Sequence, residues 1–138
     1  MTAPFEGGCA CQSIRYKVNA EPLFTAHCHC KDCQKMTGAH MATIAGVSSD
    51  TFTVNGEPKV YVTKGDSGRD VQRSFCAECG STLFSTCDVM PGLHFIEAGS
   101  LDDASWLSPT MHIYTSSAQP WAGIPDSIEQ HAKMPPAA

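Results

Sequence analysis

Seven of the eight cysteines fall into three short motifs whose spacing suits metal binding. A C-x-C pair stands near the N-terminus, "HCHCKDC" contains C-x-C-x-x-C, and "FCAECGS" contains C-x-x-C followed by glycine. Thiolates are ligands that zinc prefers, and a C-x-x-C turn directs both side chains inwards. The motifs consist of Cys9 and Cys11, then Cys28, Cys30 and Cys33, then Cys76 and Cys79, which leaves Cys87 outside them.

The number of thiols in each motif predicts two zinc ions per chain with different tasks. The outer motifs together supply four thiolates, which complete the tetrahedral shell of a closed, structural zinc. The central motif supplies three, and three protein ligands plus a position for water or substrate are typical of a catalytic zinc. We predict structural zinc on Cys9, Cys11, Cys76 and Cys79, and catalytic zinc on Cys28, Cys30 and Cys33.

Spacing alone leaves alternative ligand sets open. Cys9 and Cys11 would pair equally well with Cys30 and Cys33, which would leave Cys28 free. A histidine that joined the central motif would make a second closed site of the Cys₃His type. Side chains alternate along a strand, so His27 and His29 should point away from the face that Cys28 and Cys30 share. Disulfides are disfavoured because clustered cysteines outside the secretory pathway more often bind metal.

Composition limits the class of protein. The chain has 138 residues, of which 42% are hydrophobic and 17% charged, as in one globular domain spanning 1–138 with a frayed tail from about residue 130. A net charge of −5 with 9 Lys and Arg argues against a nucleic-acid partner. No apolar stretch approaches the ~20 residues of a membrane span. The N-terminus lacks the features of a secretory signal, so we expect a cytoplasmic protein.

The segments that must position these cysteines are short, and they are rich in β-branched and aromatic residues between Gly, Pro, Asn and Asp. This pattern predicts an all-β domain. One helical turn is expected over Lys31–Thr37, directly after the central motif. Strands are predicted over Ser13–Val18, Leu23–His29, His40–Val47, Thr51–Val54, Lys59–Thr63, Asp70–Phe75, Ser81–Ser85, Leu93–Ala98 and Thr110–Tyr114.

Five stretches together resemble the glutathione-dependent formaldehyde-activating enzyme family: "GGCACQSIRY", "CHCKDCQKMTGA", "RSFCAECGSTLF", "EAGSLDD" and "MHIYTSSAQPW". The resemblance covers nearly the whole chain and implies an Mss4-like β-tent, built of packed antiparallel sheets with short helical turns and zinc clips. It also implies structural and catalytic zinc on the seven cysteines assigned above. The implied reaction is that of a carbon–sulfur lyase of the S-hydroxymethylglutathione synthase type, which joins formaldehyde to glutathione as co-substrate. Zinc would bind and deprotonate the incoming thiol.

Glutathione would also require cations for its carboxylates. The candidates nearest in sequence to the cysteine motifs are Lys31, Lys35, Arg69 and Arg73, although each is more simply a solvated surface charge. An alternative function is a non-catalytic zinc module that binds a protein partner, because a fold does not determine a function. A methionine sulfoxide reductase is a third interpretation, but those enzymes use two C-x-x-C pairs, and the C-x-C pairs here depart from that pattern.

Overall fold

The computed structural model describes residues 2–135, whose strands form two sheets. The α-helix α1 spans Lys31–Thr37, and 3₁₀ turns span Ser49–Thr51, Ala98–Ser100 and Thr115–Ser117. Within the described range, no helix combines the length and hydrophobicity that crossing a bilayer requires. The strands β1 to β11 are Phe5–Gly8, Arg15–Val18, Phe24–Cys28, Ala42–Ser48, Phe52–Asn55, Lys59–Lys64, Asp70–Phe75, Thr82–Cys87, Leu93–Glu97, Met111–Ile113 and Glu129–Gln130.

The two sheets differ in size and confirm the predicted all-β class. The small sheet has the order β1-β2-β5, and the large sheet has the order β11-β10-β3-β4-β9-β8-β7-β6. Neighbouring strands between residues 2 and 135 pair antiparallel, except that β10 runs parallel to both β3 and β11. The expected antiparallel sheets are therefore present, with parallel pairing at this one end of the large sheet.

Each face of the large sheet has its own core. Successive side chains of a strand point to opposite faces, and β9 shows this directly. Ile96 is fully buried in a cluster that includes Tyr16 and Val18 of the small sheet. Its neighbour Phe95 belongs to a second cluster, which includes Cys28 and Cys33. The small sheet thus covers one face, and the central cysteine motif lies on the other face.

Most predicted strands appear with shifts of one or two residues at their ends. Asp70–Phe75 and the helix Lys31–Thr37 have the predicted bounds, although the helix makes nearly two turns rather than one. Two strands were not predicted. The strand Phe5–Gly8 contains two glycines, which have low β-propensity, and Glu129–Gln130 has only two residues. Both form because a partner strand offers them hydrogen bonds.

The C-terminal segment extends the large sheet and forms hydrogen bonds up to residue 133. Glu129 and Gln130 pair with β10, the His131 amide donates to the His112 carbonyl at 2.9 Å, and the Tyr114 amide donates to the Lys133 carbonyl at 3.2 Å. These bonds satisfy backbone groups along a strand that would otherwise form the edge of the sheet. The frayed tail from about residue 130 stays a prediction, and 136–138 lie outside the described residues.

Candidate metal centres and adjoining cavity

Four thiols meet where the β1–β2 connection crosses the β7–β8 connection. The Sγ atoms of Cys9, Cys11, Cys76 and Cys79 all lie within 4.8 Å of one another. Cys11 Sγ is 3.6 Å from Cys9 Sγ and 3.7 Å from Cys76 Sγ. Zinc–sulfur bonds of ~2.3 Å in a tetrahedron place sulfurs about 3.8 Å apart, whereas a disulfide needs about 2.05 Å. The cluster therefore fits a four-coordinate metal, and none of the eight cysteines is bridged.

Polar groups surround these sulfurs. The Ser13 hydroxyl lies 3.1 Å from Cys11 Sγ and 3.5 Å from Cys76 Sγ, and the Ile14 amide donates to Cys9 Sγ at 3.3 Å. The Ser81 hydroxyl lies 3.2 Å from Cys79 Sγ. Donors of this kind stabilise thiolates and orient them towards a metal.

The other three thiols converge at the end of β3 and the start of α1. Cys28 is the last residue of β3, Cys30 is the N-cap of the helix, and Cys33 is buried in its first turn. The Cys33 amide donates to Cys30 Sγ at 3.3 Å, so the helix N-terminus orients that sulfur. The three Sγ atoms lie within 4.8 Å of one another. The structure therefore offers three converging sulfur ligands here.

Three thiols this close do not all ionise without a cation. Hydrogen bonds from Cys28 and Cys33 lower the pKa of Cys30 to about 2. The pKa of Cys28 is raised by its hydrogen bond with Cys30, and further by its hydrogen bond with Cys33 and by burial. The hydrogen bond with Cys28 lowers the pKa of Cys33. The hydrogen bond with Cys30 and burial have the opposite and larger effect, so the pKa of Cys33 is raised to about 12. A soft dication would remove this conflict by ionising all three, so the donor set fits zinc.

The trio lines a cavity of about 680 Å³ on the open face of the large sheet. Arg73, Glu97 and Cys87 also line this cavity. By contrast, the four-thiol cluster lies on the face that the small sheet covers, where Cys9 and Cys76 are almost completely buried and Cys11 and Cys79 are exposed. The two cysteine groups therefore differ in ligand number and in the face of the large sheet beside which they lie.

Of the four cations considered for glutathione, Lys31 and Arg73 line the cavity, whereas Lys35 and Arg69 do not. Arg73 is only 8% exposed. Its Nη1 lies 3.9 Å from Cys33 Sγ, and its Nε has no hydrogen-bond partner among residues 2–135. A buried guanidinium with unused donors is suited to an anion that enters the cavity.

His27, His29 and His112 lie on the opposite face from the trio, as the alternation of side chains along a strand predicts. His29 is fully buried, and its Nε2 lies 2.8 Å from His112 Nδ1. The ring of His27 packs against His112 with centroids 4.6 Å apart, and burial lowers the pKa of His27 to about 4. No histidine in 2–135 joins either thiol group. Neither the Cys₃His set nor the exchange of cysteine pairs between motifs matches this arrangement.

Sequence reasoning did not single out three polar residues that the structure places at these sites: Ser13, Ser81 and Glu97. The two serines each stand two positions after a cysteine, in "CQS" and "CGS", and this spacing is a signal that could have found them. Glu97 lies at least ten positions from every cysteine and reaches the cavity through strand register, and the only sequence signal for it is its place at the start of the family-like stretch "EAGSLDD".

A comparison with protein families identifies the class to which this fold and these cysteines belong. A family model described as glutathione-dependent formaldehyde-activating enzyme matches residues 4–117, and the chain belongs to this family. The structure also resembles a crystal structure of a Rhodobacter sphaeroides protein with a TM-score of 0.56 at 18% identity. That similarity covers 75% of this chain and 91% of the other, and it concerns the fold alone.

Three curated relatives are similar to this chain over most of its length. A protein of Pyrenophora teres f. teres, provisionally named a glutathione-dependent formaldehyde-activating enzyme, is 31% identical over 123 residues, which are 82% of this chain and 63% of that protein. One of the same name in Phaeosphaeria nodorum is 30% identical over 136 residues, covering 91% and 70%. An uncharacterised lyase of Schizosaccharomyces pombe is 26% identical over 115 residues, covering 83% and 76%. The chain thus spans less than two thirds of the first of these relatives.

Proposed function

We propose that this protein is a zinc-dependent carbon–sulfur lyase that makes and breaks thiol–aldehyde adducts, with glutathione and formaldehyde as its substrates. One observation carries the proposal. Three cysteine sulfurs converge on the wall of a cavity, while four others form a separate cluster. Three protein ligands with room for a further one are typical of a catalytic zinc, and four protein ligands are typical of a structural one. The names of the family and of its relatives supply the substrates.

The reaction needs a thiolate, because a neutral thiol is a weak nucleophile. In the forward direction, the sulfur lone pair forms a bond to the aldehyde carbon. The electron pair of the carbonyl π bond moves onto the oxygen, and the resulting alkoxide takes up a proton. Zinc at the trio would supply a binding position for the incoming sulfur and lower its pKa.

Residues of the chain would bind the metal and hold the substrate. Cys28, Cys30 and Cys33 would hold the metal, with Cys30 oriented by the first turn of α1. Arg73 contributes a buried positive charge with free donors, which would attract the anionic groups of the substrate and hold them near the reacting sulfur.

Replacing Cys30 with serine tests the proposal. Exchange between free glutathione, formaldehyde and their adduct would be followed by NMR, after subtraction of the spontaneous rate. We expect the wild-type protein to accelerate exchange and Cys30→Ser to fall to the spontaneous rate, because a ligand of the proposed metal is lost. Native mass spectrometry should count two zinc ions in the wild type and one in the variant.

Cys87→Ser is the matched control, since Cys87 lines the same cavity but lies outside the trio. It should retain both zinc ions and wild-type exchange. Wild-type protein with two zinc ions and no acceleration for any thiol and aldehyde would contradict the enzyme and favour the protein-binding module. The eight unbridged thiols suit a reducing compartment, so a cytoplasmic location is part of the proposal.

A further inference from the structure

We propose that Glu97 is the proton-transfer residue of this cavity, taking the proton from the incoming thiol and returning it to the aldehyde oxygen. The inference rests on the proposed function, because it assigns a role within the same thiol–aldehyde reaction. Nothing in the cysteine motifs leads to Glu97, which lies at the end of β9. The observations that support it are its register, its burial without a partner and its position on the cavity wall.

Strand pairing brings Glu97 to the face that carries the cysteine trio. Glu97 pairs with Ile44 of β4, and Ile44 pairs with Ala26 of β3. Residues opposite each other in neighbouring strands share a face, as do residues two apart in one strand. Cys28 stands two positions after Ala26, so it shares that face with Glu97. Along the same face, Arg73 pairs with Ser85, which pairs with Phe95, two positions before Glu97.

The Glu97 side chain is largely buried but is not used within the fold. The residue is 8% exposed, and its side chain makes no hydrogen bond or ion pair with any residue from 2 to 135. Buried carboxyls are almost always paired, since an unpaired one is costly to bury. This one lines the cavity, so a molecule that enters there can become its partner.

The electrostatic surroundings let this carboxyl exchange a proton at neutral pH. Burial raises its pKa to about 7, with the nearby charge of Arg73 opposing the shift and that of Cys30 adding to it. Of the strands beside β9, β4 has no titratable side chain, and β8 offers only Cys87. A proton-transfer group works best when its pKa lies near the working pH.

The proposed step balances in protons and electrons. The carboxylate of Glu97 accepts the thiol proton, and the sulfur pair forms the C–S bond. The carbonyl π pair moves to oxygen, which takes the same proton back from the Glu97 carboxyl. The product is the hydroxymethyl thioether, and the carboxylate is regenerated without any further reactant. The reverse sequence cleaves the adduct.

The test compares Glu97→Gln with the wild-type protein and with Glu57→Gln, whose site is exposed between β5 and β6. Glutamine keeps the shape of the side chain but cannot carry the proton. We expect kcat for adduct exchange to fall by about 10²–10⁴-fold, the usual contribution of such a group. The Kd for glutathione, the zinc content and the melting temperature should remain those of the wild type, and Glu57→Gln should match the wild type throughout.

The outcomes separate this role from the proposed function. An inactive wild type overturns the proposed function, and the role of Glu97 with it. An active wild type and a folded Glu97→Gln with unchanged kcat overturn only the role of Glu97. Should glutamine prevent folding, Glu97→Asp decides, since withdrawing the carboxyl by one methylene should lower kcat at least about tenfold without changing Kd. Unchanged kcat in that variant would contradict the proposal.

Discussion

Single side chains beside the cysteines decide how firmly a metal would be held. Ser13 shows this best, because its hydroxyl approaches Cys9, Cys11 and Cys76 within 3.6 Å. Groups just outside the ligands typically affect metal affinity by 10- to 100-fold. The serine therefore belongs functionally to the four-thiol cluster, although it offers no thiol.

Replacing Ser13 with alanine should weaken zinc binding at this cluster by about tenfold, because the sulfurs lose a shared hydrogen-bonding partner. Competition with a chromophoric chelator would measure the affinity of the more tightly held zinc. Ser105→Ala is the control, since Ser105 is exposed and distant in sequence from the cysteines. Equal affinity in both variants would show that Ser13 only fills space.

His94 should make stability depend on pH. Its ring stacks on Phe52 with centroids 4.5 Å apart, and burial lowers its pKa below the ordinary value of 6.5. The unfolded chain therefore binds this proton more readily than the folded one. The stability that neutral His94 contributes is complete above pH 6.5 and is lost as pH falls from 6.5 through the lower folded pKa.

Urea unfolding at pH 7.5 and 5.5 would test this. The free energy of unfolding should fall between these pH values by less in His94→Gln than in the wild type, because glutamine does not titrate. Other buried groups and bound metal affect both proteins alike, so the difference between the two slopes isolates His94. Equal slopes would contradict the assignment.

Helix α1 is short, and its two ends hold it in place. Cys30 caps the N-terminus, and Gly38 ends the helix with a left-handed φ of 70°. The side-chain Nε2 of Gln34 donates to the carbonyls of His29 at 2.7 Å and of Ser117 at 3.0 Å. These contacts fix the helix against the end of β3, so the position of Cys33 depends on both.

Gly38→Ala should lower the free energy of unfolding by about 1–2 kcal/mol, because alanine is strained at positive φ. A Cβ at this position would meet no atom within 4 Å, so the cost is that of the backbone alone. Gly38→Asn is the matched comparison and should cost less, since asparagine tolerates this conformation. Chemical denaturation of the three proteins would rank them, and an alanine variant as stable as the wild type would contradict the prediction.

What could be predicted from the sequence was local, and what could not was long-range. Lys31–Thr37 and Asp70–Phe75 have the expected bounds because turn residues and residue type already specify them. Phe5–Gly8 was missed because its pairing with β2, not its own composition, makes it a strand. In the same way, cysteine spacing predicted the two groups of thiols, whereas the place of Glu97 on the cavity that the trio lines depends on strand register across β3, β4 and β9.

In the whole molecule, the two cysteine groups lie in different hydrophobic cores, one on each face of the large sheet. The four thiols join the N-terminal segment to the β7–β8 connection, and the trio lies beside the cavity on the other face. If both groups bind zinc as proposed, loss of metal from one group should have different effects from loss at the other. Stability should follow the first group, and turnover should follow the second.

Cys79→Ser and Cys30→Ser provide this comparison, because each removes one sulfur from one group. Cys79→Ser should lower Tm by about 10 °C, whereas Cys30→Ser should change Tm by much less and abolish turnover. Thermal unfolding followed by circular dichroism, with zinc counted by native mass spectrometry, would measure both. An equal fall in Tm for the two variants would contradict the separation of roles.

The four-thiol cluster brings together two connections that are far apart in sequence, and this also has a consequence for the unfolded chain. Cys11 and Cys76 are 65 positions apart, so a metal held by both motifs closes a large ring in the polypeptide. Polymer theory for a cross-link of this span gives a loss of unfolded-state entropy worth about 4 kcal/mol at 25 °C. A single ion would therefore act on the chain much as a long-range disulfide does, yet in a form that a reducing environment leaves intact and that a chelator can open.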